Sequence, residues 1–207
     1  MLFIGICGAS GSGKSTLAEQ LQLKIHQRGI LLAQDSYYLD HSQLPFHERE
    51  RINYDEPRAF DHDQLYEDIL ALREGHPITR KQYDYAHHCR ADRDEWIEPA
   101  DVVLLEGIHA FYDPRLRALM DMRIFIRVDA DVCLLRRVQR DIIERGRSIE
   151  GIARQYEETV KPMYEQYIKN YIQYADLIVA GGGKNAKISD ILAFYINGGQ
   201  VASQTNL

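Results

Sequence analysis

Gly8-Ala9-Ser10-Gly11-Ser12-Gly13-Lys14-Ser15 has the spacing G-x-x-x-x-G-K-[ST], and its neighbours decide how it is read. Before it, Leu2-Phe3-Ile4-Gly5-Ile6-Cys7 is a short apolar run with β-branched members. After it, Leu17, Leu21 and Ile25 recur at four-residue steps, and Gly29 ends the helix they predict. The order is therefore buried strand, glycine-rich loop, helix. Glycines let successive backbone N–H groups curl around phosphate oxygens, and the helix N-terminus adds partial positive charge. Lys14 is spaced to reach the β- and γ-phosphates, and the Ser15 hydroxyl to ligate Mg²⁺. A plain Gly/Ser turn needs none of this register. Gly8, Ala9, Ser10, Gly11, Ser12, Gly13, Lys14, Ser15 and Thr16 are thus expected to cradle a nucleoside triphosphate with Mg²⁺.

Outward from the loop, Ile30-Leu31-Leu32-Ala33 reads as a second strand ending at Gln34-Asp35-Ser36. The stretch 37–62 has too little periodicity to assign. A helix is predicted over 63–73, stopping at Gly75, and 77–99 alternates polar, aromatic and β-branched residues as an inserted β-hairpin would. Asp101 to Gly107 is the strongest interior strand and Arg123 to Val128 is another, with a short helix over 114–120 between them. A helix over 130–144 follows. Ile149, Ile152, Tyr156, Val160, Met163, Tyr167 and Tyr171 then predict one long helix with a bend at Pro162. A strand over 177–180, a helix over 187–195 and a frayed tail over the last ten residues complete the pattern. Strands alternating with helices imply one α/β domain over 1–207, with a P-loop NTPase-like, mostly parallel sheet covered by helices on both faces.

The chain has 207 residues, with 25 Lys+Arg against 31 Asp+Glu, for a formal net charge of −6. That balance argues against a nucleic-acid partner, which calls for a basic face, so any anion must be met locally. Three widely spaced cysteines, Cys7, Cys89 and Cys133, suggest neither a disulfide framework nor a zinc site. No 18 apolar residues run together, and the apolar start is too short for a signal segment. The expectation is a cytoplasmic protein with no membrane partner.

Phosphoryl transfer needs a metal partner and a group to orient or deprotonate the acceptor. In open α/β sheets ligands lie beyond the carboxyl ends of the strands, where Asp35 and Glu106 stand. Glu106 is in the place of an acid that holds Mg²⁺ or its water, and Asp35 is then free to take a proton from a hydroxyl. Arg136, Arg137, Arg140, Arg145 and Arg147 put five guanidinium groups into 12 residues, with 136, 137 and 140 on one helical face. A solvated face paired with Asp141 and Glu144 would explain them, as would a nucleic-acid patch. The reading preferred is a helical lid over 136–147 that brings cations onto the transferring phosphate.

At this point the chain resembles the uridine kinases (uridine-cytidine kinases) of bacterial type. The resemblance runs from the loop through Gln34-Asp35-Ser36-Tyr37-Tyr38, Asn53-Tyr54-Asp55-Glu56-Pro57, Tyr83-Asp84-Tyr85 with His88 and Arg90, and Leu105-Glu106-Gly107. It continues through Arg136-Arg137-Val138-Gln139-Arg140-Asp141, Glu144-Arg145-Gly146-Arg147, Gln155-Tyr156, Val160-Lys161-Pro162-Met163, Tyr174-Ala175-Asp176 and Gly182-Gly183-Lys184-Asn185. It implies Asp35 as base for the nucleoside 5′-hydroxyl and Asp55 on the ribose hydroxyls. Tyr83, Tyr85 and His88 would form the base pocket, with Arg137, Arg147 and Gln155 completing the nucleoside site. Lys14, Arg140 and Arg145 would meet phosphate, and Ser15 and Glu106 would serve Mg²⁺. The family reaction converts uridine or cytidine to UMP or CMP at the expense of ATP or GTP, in pyrimidine salvage, commonly by homotetramers that CTP or UTP inhibit.

The chemistry of the residues agrees. Aromatic faces suit a planar pyrimidine, a carboxylate suits ribose hydroxyls, and a histidine can meet either O4 of uracil or N4 of cytosine according to tautomer. The chain departs from the family at Arg80-Lys81-Gln82, where a Pro-Val pair is usual, and at Ala180, before a turn where many members have Pro and Arg. Two other readings stand beside this one: a P-loop kinase of the phosphoribulokinase or pantothenate kinase type, and a non-enzymatic nucleotide switch. The second would want an N/T-K-x-D motif, which is missing.

Overall fold

Side chains alternate along strand β1 (Leu2–Gly8), and that alternation sorts the core into two layers. Phe3 and Cys7 face one side of the sheet and Ile4 and Ile6 the other, all without exposed surface. The computed structural model describes residues 1–84, 87, 89–183 and 185–198, and within these not the side chains of Ala91 and Asp92. Five parallel strands form the sheet in the order β2-β5-β1-β6-β7, where β2 is Gly29–Ala33, β5 Val102–Gly107, β6 Met122–Arg127 and β7 Leu177–Ala180. Helices α1 (Lys14–Lys24) and α8 (Ala186–Ile196) cover the Ile4/Ile6 face through Leu17, Leu21, Leu192 and Ile196. Helix α3 (His62–Arg73) covers the other through Leu65, Ile69 and Leu72, joined by Ile168 and Tyr171. Both faces of a parallel sheet are thus buried, as its continuous apolar strands require.

The hairpin expected over 77–99 is present as antiparallel β3 (Ile78–Asp84) and β4 (Cys89–Ile97), with a register irregularity between Lys81 and Tyr83. That irregularity falls on the stretch that departs from the family pattern. Arg80 ties the hairpin base down, pairing with Glu95 at 3.1 Å across the strands. The stretch 37–62 is held by short pieces: helix α2 (Phe46–Arg49), a 3₁₀ turn Pro57–Ala59 and a single bridge between Tyr38 and Phe60. Helices α4 (Pro114–Leu119) and α5 (Ala130–Arg145) lie near the expected positions.

Two expectations are corrected. Helix α1 ends at Lys24, because Ile25 turns to extended backbone while keeping its side chain in the core, and Gly29 opens β2 instead of closing the helix. The long helix over 149–171 is broken into α6 (Ile149–Gln155), a π turn (Tyr156–Val160), α7 (Lys161–Gln166) and a 3₁₀ segment (Ile168–Tyr174). Pro162 cannot donate to the preceding turn and its ring crowds the carbonyl there; the ladder widens before it, and Pro162 sits in the first turn of α7, where no donor is needed. No helix among the described residues is long and apolar enough to cross a membrane.

Candidate active site

The carboxyl ends of β1, β2 and β5 open onto one edge of the sheet, and the glycine-rich loop leaves from the middle strand. Gly11 (φ +82°) and Gly13 (φ +92°) adopt left-handed backbone. A Cβ on Gly11 would stand 2.4 Å from the Cys133 carbonyl oxygen, and one on Gly13 2.9 Å from the Gly183 nitrogen. The curl therefore needs glycine for both shape and clearance. Among the described residues no side chain caps α1, so its leading N–H groups face the loop.

Lys14 and Ser15, the first residues of α1, converge on Glu106 of β5. Ser15 Oγ donates to Glu106 Oε1 at 3.0 Å, and Lys14 Nζ lies 3.8 Å from Oε2. Glu106 is nearly buried, and burial pushes its carboxyl above the ordinary range against the pull of Lys14. Its Oε2 is buried without a hydrogen-bond partner among the described residues. Ala33 pairs in register with Glu106, which sets Asp35, on the 3₁₀ turn Gln34–Tyr37, beside the same carboxylate. Asp55 is also buried; burial raises its carboxyl while Arg137 opposes, and its Oδ2 accepts from Thr159 Oγ1 at 3.0 Å.

The arginine-rich segment expected as a lid is the second half of α5, closed by Gly146 in left-handed backbone and followed by Arg147. Four of its arginines gather around Asp141, which has no exposed surface: Arg140 at 2.8 Å, Arg145 at 3.4 Å, Arg147 at 3.5 Å and Arg137 at 3.6 Å. Arg137 also donates to Ser10 Oγ at 3.0 Å, and Arg137 and Arg147 each donate to Gln155 Oε1 at 2.8 Å. Arg136 is the exception. It turns toward Gly182 beside the glycine loop, since one helical residue rotates it by about 100° from Arg137.

A cleft of about 260 Å³ collects Ser10, Lys14, Ser15, Asp35, Asp55, Tyr83, Glu106, Arg137, Arg140, Arg145, Arg147 and Gln155. Tyr38 and Tyr54 line it too. The Tyr38 ring stacks on Phe60 at 4.3 Å between centroids and lies 4.7 Å from that of Tyr83, and Arg90 Nε fixes its backbone by donating to Tyr38 O at 3.0 Å. The expected site residues Tyr85 and His88 lie outside the described residues. Side chains drawn from seven separate segments thus face one space.

The model of the Phosphoribulokinase / Uridine kinase family matches residues 3–187. The chain belongs to that family. It is a phosphotransferase, and its kin draw on a nucleotide phosphate donor. This kinase is 45% identical over 192 residues to the uridine kinase of Ligilactobacillus salivarius (strain UCC118), spanning 92% of this chain and 90% of that protein. To the uridine kinase of Geobacillus sp. (strain WCH70) it is 46% identical over 194 residues, spanning 93% and 92%. The phosphoribulokinase from Rhodobacter spheroides shares the fold, with a TM-score of 0.55 and 14% identity over 80% of this chain and 67% of that one.

Sequence reasoning missed three groups that shape the cleft of this kinase. In the sequence Asp141 reads as a partner on a solvated face; its spacing of four from Arg137 and from Arg145 is the available signal, but spacing does not reveal burial. Thr159, on the π turn, carried no signal. His109 reaches across to residue 55, with Nε2 2.7 Å from the Asp55 carbonyl oxygen.

Proposed function

We propose that this kinase transfers the γ-phosphoryl group of ATP or GTP to the 5′-hydroxyl of uridine and cytidine, giving UMP or CMP and the nucleoside diphosphate. The observation that carries the reading is the single cleft that joins the Lys14–Ser15–Glu106 cluster to Asp35, Asp55 and Tyr83. The relatives that are 45–46% identical and named uridine kinase support it.

In this mechanism the loop N–H groups and Lys14 hold the donor phosphates, and Arg140 and Arg145 offset charge on the phosphoryl group in flight. Asp35 takes the proton of the 5′-hydroxyl as its oxygen bonds to the γ-phosphorus and the bridging oxygen of the donor leaves. Asp55 accepts from the ribose hydroxyls, with Arg137, Arg147 and Gln155 beside it. Tyr83, with Tyr85 and His88, holds the pyrimidine. Ser15 and Glu106 would hold Mg²⁺, and the buried Glu106 oxygen without a hydrogen-bond partner beside a hydroxyl fits a cation that arrives with the nucleotide. That ion would neutralise charge on the donor phosphates. The reading includes a homotetramer in the cytoplasm, and a light-scattering mass of 24.0 kDa, that of one chain, would overturn the assembly.

The test is nucleoside-dependent ADP release from ATP with Mg²⁺, run with uridine, cytidine, thymidine, adenosine, ribulose 5-phosphate and pantothenate, with Asp35→Asn in parallel. Turnover confined to uridine and cytidine and lost in Asp35→Asn supports the reading. Turnover on ribulose 5-phosphate or pantothenate instead overturns it.

A further inference from the structure

His109 has no exposed surface and uses every polar atom it carries. Its backbone N–H donates to Gln34 Oε1 at 2.9 Å. Its Nε2 lies 2.7 Å from the Asp55 carbonyl oxygen, and its Nδ1 lies 2.8 Å from the Tyr171 hydroxyl. A carbonyl only accepts, so Nε2 carries the proton; Nδ1 is then the acceptor and the Tyr171 O–H its donor. Burial holds the imidazolium down to about 4, so the ring stays neutral at physiological pH, as this assignment requires.

The two bonds of the ring join the end of β5 to residues 55 and 171, parts of the molecule that no strand ladder connects to it. Residue 55 lies in an irregular stretch, and it is held from elsewhere in the chain by Thr159 on its carboxylate and by His109 on its carbonyl. The first fixes an oxygen of the side chain. The second fixes the peptide plane, and through it the direction in which the carboxyl group leaves the backbone. On the other side, Gln34 precedes Asp35, and it fits only because residue 107 is glycine: a Cβ there would lie 2.2 Å from Gln34 Oε1. His109 itself stands three residues beyond Glu106. The ring therefore fixes residue 55 against the end of β5, while the β2–β5 register and the His109 backbone N–H hold the Gln34–Asp35 turn beside Glu106.

We propose that His109, locked as its Nε2–H tautomer by Tyr171, is a positioning residue that aims Asp55 at the ribose hydroxyls and so sets the preference for ribonucleosides over 2′-deoxyribonucleosides. The inference rests on the nucleoside reading of Asp55 given above. A histidine that merely fills the core would affect folding and all substrates alike, whereas an aiming role acts on the hydroxyl that Asp55 receives.

The experiment compares kcat/KM for uridine and 2′-deoxyuridine, together with KM for ATP and thermal midpoints, in wild type, His109→Leu, His109→Gln and Tyr171→Phe. The glutamine amide nitrogen sits the same number of bonds from Cα as Nε2, so His109→Gln keeps the donor to the Asp55 carbonyl. We expect the uridine-to-deoxyuridine ratio to fall at least tenfold in His109→Leu, by about two- to fivefold in Tyr171→Phe, and to recover toward wild type in His109→Gln, with KM for ATP within twofold throughout. An unchanged ratio, or equal losses on both nucleosides and ATP, overturns the proposal. Should His109→Leu fail to fold, Tyr171→Phe and His109→Gln decide by the same ratio. Wild type that ignores uridine, or uses both nucleosides equally, overturns the reading of Asp55 and the proposal with it, and does so before any variant is compared.

Discussion

Arg140 donates twice to the same oxygen of Asp141, from Nε at 2.9 Å and from Nη2 at 2.8 Å, at a carboxylate with no exposed surface. Arg145, Arg147 and Arg137 complete the ring. One buried negative charge thus holds four positive ones at the mouth of a cleft in a protein whose net charge is −6. Burial alone would raise the Asp141 carboxyl; the Arg140 and Arg137 guanidiniums outweigh it and hold it below the ordinary range. Its contribution to stability is therefore present above the unfolded value of 3.8 and lost as pH falls through the lower folded value.

Asp141→Asn should destabilise the fold by about 3 kcal/mol at pH 7, the lower end for breaking a buried ion pair, because the arginines retain some access to solvent. Urea unfolding measures this. The four released guanidiniums should also repel one another, lowering kcat more than nucleoside affinity. A variant as stable and as active as wild type would show that the arginines are aimed by other contacts.

Glu106 gives a pH dependence of known sign. In the enzyme without nucleotide and metal its raised carboxyl protonates on acidification earlier than an ordinary glutamate at 4.5, so the acid limb of kcat/KM, which reports the free enzyme, should begin above that value. Protonation removes the charge facing Ser15 and Lys14, so activity falls as pH drops through the limb. Glu106→Gln should weaken Mg²⁺-dependent donor binding by about 10–100-fold, the range seen when groups around a metal are lost. Titration calorimetry with and without Mg²⁺ checks it, and equal binding by both proteins would remove Glu106 from the metal's surroundings.

Asp35→Asn keeps the shape of the side chain and removes its basicity. We expect kcat to fall by about 10²–10⁴-fold, the usual scale for general-base catalysis, with uridine affinity within about threefold. Calorimetric binding beside steady-state rates separates the two. A loss in affinity alone would make Asp35 a binding group.

Gly13→Ala should cost about 1–2 kcal/mol for left-handed backbone, besides the close approach to Gly183. Its clearer effect is on the loop: ATP affinity should drop at least tenfold while the melting point shifts by a few degrees. Undiminished ATP binding would mean that the curl at Gly13 is not what receives phosphate.

Much of this was legible in the sequence. The strand at residues 2–8, the glycine loop, the strands ending at Ala33 and Gly107 and the hairpin each carry a local pattern, so they could be read in isolation. The helix after Ser148 misled because its apolar spacing persists through Pro162 while the backbone cannot. Residues 37–62 gave no period because short turns and aromatic contacts, not a ladder, hold them. The positions of Asp141 and His109 were illegible for a different reason. A buried acid and a solvated one have the same spacing from their arginines, and the contact between His109 and Asp55 spans 54 residues with nothing local to announce it.

The strand that carries the glycine loop takes both of its neighbours from far along the chain. Its register with β5 begins at Leu2↔Val102, and its last pair with β6 is Gly8↔Ile126. A chain in synthesis at about 5–20 residues per second therefore makes β1 well before either of its neighbours, β5 first and β6 last. Until β5 is made, Phe3, Ile4 and Ile6 have no neighbouring strand to pair with. A chain arrested before β6 carries the complete phosphate-loop sequence without the second neighbour that its strand pairs with.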